Sequence, residues 1–254
     1  MIKKERLNWI LNRLKYQKII TVNEIIEELN VSDMTVRRDL TELEKEHLLI
    51  RIHGGAQSVD TLNVEEKSNT EKLSQQVPEK REIASLASKT IQDGETIFIG
   101  PGTTLEYFAK ELRYKSLRIV TNSLPVFNIL KDCTNIDLLL IGGEYRPITG
   151  AFVGTLASSN IKSLKFSKAF ISANGIFKNS VATYSESEGI IQQLALDQSL
   201  EKILLVDHQK FDAYDFYVFY DTNKFDKIIT DSMLSDNKLE SYSSYTKIIR
   251  ASNK

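Results

Sequence analysis

Cysteine and histidine are scarce in this chain. Its 254 residues include one cysteine, Cys133, and three scattered histidines, His47, His53 and His208. A single cysteine excludes an internal disulfide and suits a reducing compartment. With no Cys/His cluster there is no metal-ligand pattern, so neither a metal nor a cofactor is expected. No apolar run approaches the roughly 20 residues of a membrane span. The first twenty residues, MIKKERLNWILNRLKYQKII, break their apolar positions with charges and lack the apolar centre of a signal peptide. The expectation is a soluble cytoplasmic protein. Excess charge is missing too: the net is -1, so no global field draws the chain to nucleic acid or membrane. Any nucleic-acid site must be local. Repeats and low-complexity tracts are also absent.

What is present is ordinary globular composition, 41% hydrophobic and 26% charged. The length suits one and a half to two domains at about 150 residues each, enough to bury a large core. Two styles of sequence divide it. Residues 1–57 carry short helical patterns: Leu7, Ile10, Leu11 and Leu14, then Ile25, Ile26 and Leu29, then Val36, Leu40 and Leu43. Residues 58–77 are polar and read as a linker, partly helical, free to fold onto either neighbour. From residue 78 to 254 apolar strand-like runs alternate with helix-like runs. The strands are TIFIG, RIVT, DLLLIGG, KAFISAN, KILLVD and KIITD; the helices include PEKREIASLASKTIQDG (stopped by Asp93-Gly94), TLEYFAKEL, LPVFNIL, VGTLASSNIKSL and SEGIIQQLALDQ. Strands apolar throughout, separated by helices, imply a mostly parallel sheet covered on both faces. The fold class is therefore α/β, with a small helical head before it.

The head matches a helix-turn-helix plan, with Val31 in the turn and Ser32 as the N-cap of a third helix. If Val36, Leu40 and Leu43 are buried, Met34 and Arg38 point outward and Thr35 and Arg37 flank them. That is the face a major groove would meet, Arg38 suiting a base edge or phosphate and Arg37 mainly phosphate. The following LLIRIHGGAQS reads as a wing, a strand turning at Gly54-Gly55, with Arg51 and His53 placed to touch backbone or minor groove. The candidate DNA-facing set is Ser32, Met34, Thr35, Arg37, Arg38, Arg51, His53 and Gly54. The plain alternative is a solvated helix face, with Asp39 pairing a neighbouring arginine. Residues 1–57 hold ten Lys/Arg against nine acids, a net of only +1.

The stretch VSDMTVRRDLTELEKEHLLIRIHGGAQS resembles the signature of DeoR-type transcriptional repressors. That family carries Val-Ser-x-x-Thr-[Ile/Val]-Arg-Arg-Asp-Leu, then a Leu-Glu pair, then Arg-x-His-Gly-Gly-Ala. Val31, Ser32, Thr35, Val36, Arg37, Arg38, Asp39, Leu40, Arg51, His53, Gly54, Gly55 and Ala56 match it. The resemblance implies a winged helix-turn-helix binding double-stranded operator DNA as a homo-oligomer, dimer or tetramer.

In an open parallel sheet, ligands bind beyond the carboxyl ends of the strands. Four polar clusters fall there: GPGTT with Gly102, Thr103 and Thr104; TNS with Asn122 and Ser123; Gly142-Gly143; and DHQK with Lys210. Glycine admits close approach, hydroxyls and free N–H groups at a helix start suit a phosphate, and lysine adds charge. Singly, each reads equally as a cap, a turn or a surface lysine. Together they suit a small, phosphorylated, hydroxyl-rich ligand. The resemblance agrees, since sensor domains of the family look like the sugar-phosphate isomerase fold and share these elements. Gly100-Pro101 replaces a more usual Asp-Ser, and Asn179 a usual glycine, where asparagine tolerates left-handed backbone. That variant, with TGAFVG, FSKAF and QQLAL, is similar to a lactose-utilisation branch of the family, which implies tagatose 6-phosphate as the effector. A working isomerase or deaminase is the rival. Its general base would be Asp207 or Glu188, since the loop ISANGIF offers no carboxylate, and His208 reads as structural. A bare oligomerising scaffold leaves the four clusters unexplained.

Overall fold

The computed structural model describes residues 2–17, 19–52, 54–59 and 66–252. It comprises two compact units, Met1–Glu65 and Glu66–Lys254.

In the first unit α1 (Lys3–Gln17), α2 (Val22–Leu29) and α3 (Asp33–Lys45) pack beside a sheet of β1 (Ile19–Thr21), β2 (Leu49–Ile52) and β3 (Gly55–Ser58), in the order β1-β3-β2. Thr21 and Glu24 form a reciprocal capping box that starts α2, and Asn30 ends it in the left-handed region at φ 49°. Ser32 then caps α3, its hydroxyl accepting from Thr35 N–H. Val36, Leu40 and Leu43 are buried with Ile10, Leu14 and Ile25, each side chain contributing about 2 kcal/mol of apolar burial. β2 and β3 pair from Leu49↔Ser58 to Ile52↔Gly55, with Gly54 at φ 88° in the turn. Strand β1, which no sequence pattern announces, pairs β3 on its other side.

The second unit holds a seven-stranded parallel sheet. Its strands are β4 (Thr96–Ile99), β5 (Leu117–Thr121), β6 (Ile136–Leu140), β9 (Phe166–Ile171), β12 (Ser199–Leu205), β14 (Lys227–Thr230) and β15 (Lys247–Arg250). Their order is β15-β14-β12-β9-β4-β5-β6. The six expected strands are all there; β15 adds an edge. Ile97 and Ile99 face one apolar cluster, with α5 (Val77–Ser88), α6 (Thr103–Glu111) and α7 (Leu124–Leu130). Phe98, between them, faces the other, with α8 (Gly154–Lys162) and α9 (Glu186–Asp197). Both faces being covered is why these strands carry almost no polar alternation.

Three details differ from the sequence reading. α5 ends at Ser88, well before Asp93-Gly94, because Thr90 Oγ1 takes the Ala87 carbonyl and Ser88 Oγ that of Ser85. Residues 66–76, inside the expected linker 58–77, belong to the second unit, where Ser68 caps the short α4 (Asn69–Leu73) in a capping box. In the turn between β10 (Gly175–Phe177) and β11 (Ser180–Thr183), the left-handed residue is Lys178 at φ 51°, not Asn179. Asn179 instead accepts Asn223 N–H on its side-chain oxygen. Short strands β7 (Glu144–Arg146), β8 (Ala151–Val153) and β13 (Tyr217–Asp221) were also unannounced.

Strand order sets where a ligand can enter. The chain runs outward from β4 through β5 to β6, then returns to place β9 on the other side of β4. The two connections diverge between β4 and β9. Such a reversal opens a crevice at the carboxyl ends of the two strands.

Candidate functional site

On the first unit, α3 presents Met34, Arg37, Arg38, Thr41 and Lys45 along one outward face. Met34 is 79% exposed. Asp39 is buried, and its arginine partner is Arg6 of α1, bound through Nε at 2.7 Å and Nη2 at 3.2 Å. That pairing leaves the Arg38 guanidinium with no bond or ion pair among the described residues. Arg37 is held by Asp33 one turn earlier, Nε to Oδ1 at 2.5 Å, in the open. An exposed pair of this kind is screened by water, so it yields easily to a stronger anion. Arg51 donates to Thr41 Oγ1 at 2.8 Å, while its backbone N–H donates to Glu44. It therefore ties the hairpin to α3. His53 lies outside the described residues.

On the second unit a cleft of about 720 Å³, open mouth included, sits at the β4/β9 crevice. Its floor comes from the loops after β4 (Gly102, Thr103, Thr104), β9 (Ser172, Asn174) and β12 (Asp207, Lys210). One wall is the segment just after the first unit, with Glu66, Asn69, Lys72, Gln75 and Gln76. Asn69 fastens that wall by its N–H to Ile148 O and its amide to Thr149 O, both at 2.8 Å. Gly102 is the N-cap of α6 at φ 135°, a backbone conformation in which a side chain would be strained. No side chain caps the helix there, so its first N–H groups open toward the cleft.

Three lysines converge on this space. Lys80 is 4% exposed and donates to the carbonyls of Lys72, at 2.5 Å, and Gln75, at 2.6 Å. Lys72 reaches Asn174 Oδ1 at 3.4 Å. The Lys210 ammonium has no bonded partner among the described residues. None of the three has a carboxylate in ion-pairing range. Burial pushes the Lys72 ammonium below its ordinary range, and the charge of Lys210 adds to it. Lys80 is lowered for the same first reason, with Lys210 and Lys72 reinforcing and Asp207 opposing. The cleft thus gathers three lysine ammoniums beside a helix N-terminus, with the carboxylates of Glu66, Glu188, Asp207 and Asp215 acting on them from beyond ion-pairing distance.

The far side is acidic but engaged. Arg146 bridges Glu66 and Glu188, the latter at 3.1 Å, and Thr149 donates to Glu188. Burial raises the Glu188 carboxyl, while Thr149 and Arg146 pull it back. Glu106 on α6 is pushed up to about 7 by burial, against Lys110 and Lys80. His208 is structural, its ring nitrogen 2.9 Å from buried Asp231. No group of three or more potential metal-ligating side chains occurs among the described residues.

Of the eight expected ligand residues, the cleft gathers Gly102, Thr103, Thr104 and Lys210. Asn122 and Ser123 follow β5 and lie outside it, fully buried. Asn122 donates to Phe152 O, and Ser123 Oγ caps α7. Gly142 and Gly143 follow β6, farther still. A side chain at Gly143 would meet Val153 O at 2.4 Å, so backbone packing accounts for that glycine. Sequence reasoning missed Lys72, Lys80, Asn69, Thr149 and Gln192. One signal for Lys80 was available: it shares the buried stripe of α5 with Ile83, Ala84 and Ala87, where a charge has no packing role.

Comparison with known proteins adds three findings. The profile of the DeoR C-terminal sensor domain matches residues 75–232, and that of the DeoR-like helix-turn-helix domain matches residues 6–62. The lactose phosphotransferase system repressor of Lactococcus lactis subsp. lactis is 55% identical over 255 residues, covering 99% of this chain and all of the relative. The repressor of the same name from Staphylococcus aureus (strain NCTC 8325 / PS 47) is 45% identical over 251 residues, covering 98% and 100%. Among solved structures, ribose 5 phosphate isomerase A from Neisseria gonorrhoeae is similar over 52% of each chain, at 15% identity and a TM-score of 0.39.

Proposed function

The chain belongs to the DeoR family of transcriptional regulators, and from that premise we propose that it represses a lactose or galactose utilisation operon and leaves its operator when a sugar phosphate fills the cleft. The observation that carries the effector half is the meeting of Lys72, Lys80 and Lys210, none of them ion-paired among the described residues, with the N-terminus of α6. A phosphate dianion would offset two of those three charges at once. The opposite end offers oxygen acceptors and hydroxyls for a polyol chain. The names of the two relatives favour the lactose branch, and tagatose 6-phosphate is the effector this reading selects.

On the head, Arg38, Met34 and Thr35 would meet bases, and Arg37, Ser32 and the wing with Arg51, His53 and Gly54 the phosphate backbone. One short helix makes few base contacts, so the working form is a dimer or higher oligomer on a two-fold operator. For release, the sugar phosphate must bind the DNA-free arrangement more tightly than the DNA-bound one. The cleft wall at residues 66–76 is the chain segment that leads from the head, which gives the ligand a covalent route to it.

Two measurements test the reading. In a thermal-shift panel on the full chain, tagatose 6-phosphate should raise the melting temperature more than unphosphorylated tagatose. In a gel shift with the upstream region of its own operon, the protein should retard the band and the same sugar phosphate should release it. Absence of both effects, or turnover of the sugar phosphate by the purified protein, overturns the proposal. Thr103→Ala should blunt release.

A further inference from the structure

We infer that Gln192 reads a hydroxyl of the ligand's carbon chain and so determines which phosphate ester the cleft accepts; this rests on the effector reading above. Gln192 lies on α9, four residues after Glu188 and on the same helical face. It is 3% exposed and lines the cleft. Its Oε1 is buried with no hydrogen-bond partner. A buried amide oxygen left unbonded is unfavourable and rare in native proteins. Asn122 Oδ1 is also orphaned, but Asn122 does not line the cleft. Gln192 differs in facing a space built for a ligand.

The chemistry of the surroundings names the missing partner. The cationic end is supplied by the lysines and α6. Around Gln192 stand Thr149, Thr183 and Glu188, all less than a tenth exposed. Glu188 is already committed to Arg146 and Thr149. The amide, with one acceptor and one donor group, is the free member of this set. A sugar hydroxyl is both donor and acceptor and satisfies an amide in either orientation. On this inference a bare phosphate, held at the lysines, leaves the amide unbonded. A site built to bond a hydroxyl rejects analogues lacking it because its own polar group is then left buried and unpaired.

The test separates a ligand-reading role from a packing role. Gln192→Met keeps the length of the side chain and removes the amide. On the full chain, calorimetric titration with tagatose 6-phosphate should show affinity about tenfold weaker than in the unsubstituted protein, as loss of one ligand hydrogen bond implies. The thermal shift given by millimolar inorganic phosphate should stay unchanged. The melting temperature of the ligand-free variant should be equal or higher, because an unsatisfied buried group has been deleted. Unchanged sugar-phosphate affinity overturns the inference. So does an equal weakening of inorganic phosphate, or a lowered melting temperature, which marks Gln192 as structural; Gln192→Leu repeats the measurement with a different apolar shape. If the unsubstituted protein binds neither ligand, the effector reading itself falls, and the inference with it.

Discussion

On the proposed reading both units meet phosphate, and they do it in opposite ways. The head spreads exposed cations along a convex helix: Arg38 unpaired, Arg37 loosely held by Asp33, Lys45 in solvent. Water and salt screen such charges, so holding them ready costs little, and each contact contributes modestly and in a salt-dependent way. The second unit buries Lys80 and half-buries Lys72 and Lys210 in one concavity, where they repel each other. Keeping them charged and empty opposes folding. That opposition is returned when one compact dianion enters. A polymer of phosphates is gripped by many weak exposed contacts; a single phosphate is selected by a few strained, buried ones.

The comparison can be broken most sharply at Lys80. Lys80→Ala removes a buried charge and the two bonds that tie it to the cleft wall. Sugar-phosphate affinity should fall by about a hundredfold or more, the worth of a charged hydrogen-bonded contact plus lost wall geometry, while operator affinity without ligand stays within about twofold. A ligand response that survives means the lysines are not the anion site. Arg38→Ala comes next: operator affinity should drop on the order of ten- to a hundredfold, with base preference relaxed at one position if it reads an edge. Loss that is uniform across operator variants assigns Arg38 to phosphate instead. Arg37→Ala should act less strongly, because its guanidinium must first leave Asp33. It should flatten the salt dependence by about one counterion, and an unaltered slope in filter binding removes it from the phosphate contacts.

The smallest effect concerns pH. Glu106 has its carboxyl pushed up to about 7 in the folded protein, against an ordinary value of 4.5. The native state therefore holds this proton more tightly than the unfolded chain does. The contribution of Glu106 to stability is highest below pH 4.5, declines as pH rises toward 7, and is flat above, a change of at most about 3 kcal/mol. Glu106→Gln should remove that slope and stabilise the second unit at pH 8 in urea unfolding. The head, which lacks such a buried acid on a cleft-forming helix, should show no matching change; a slope that persists places its origin elsewhere.

Much of the fold was legible. Alternation of apolar strands and helices announced six of the seven parallel strands, and Ser32 with Val36, Leu40 and Leu43 announced α3 and its outward face. The sites were legible in part. Polar clusters after strands were visible, but clusters after four different strands looked equivalent. Asn122, Ser123 and Gly143 turned out to serve backbone capping and close packing. The residues that were missed share a sign that a helical reading can use: Lys80, Glu106, Glu188 and Gln192 each sit on the buried stripe of an otherwise apolar helix face.

Local chemistry alone therefore determined most of the helices, six of the seven parallel strands, the Ser32 cap and the existence of two dissimilar units, because hydrophobic period and capping act within a few residues. Strand order was decided only in three dimensions. It put β9 beside β4, left β5 and β6 on the far side, and folded residues 66–76 over the opening between them. Whether a polar cluster meets a ligand depends on which strands are neighbours, and neighbours far apart in the chain leave no mark in a local pattern.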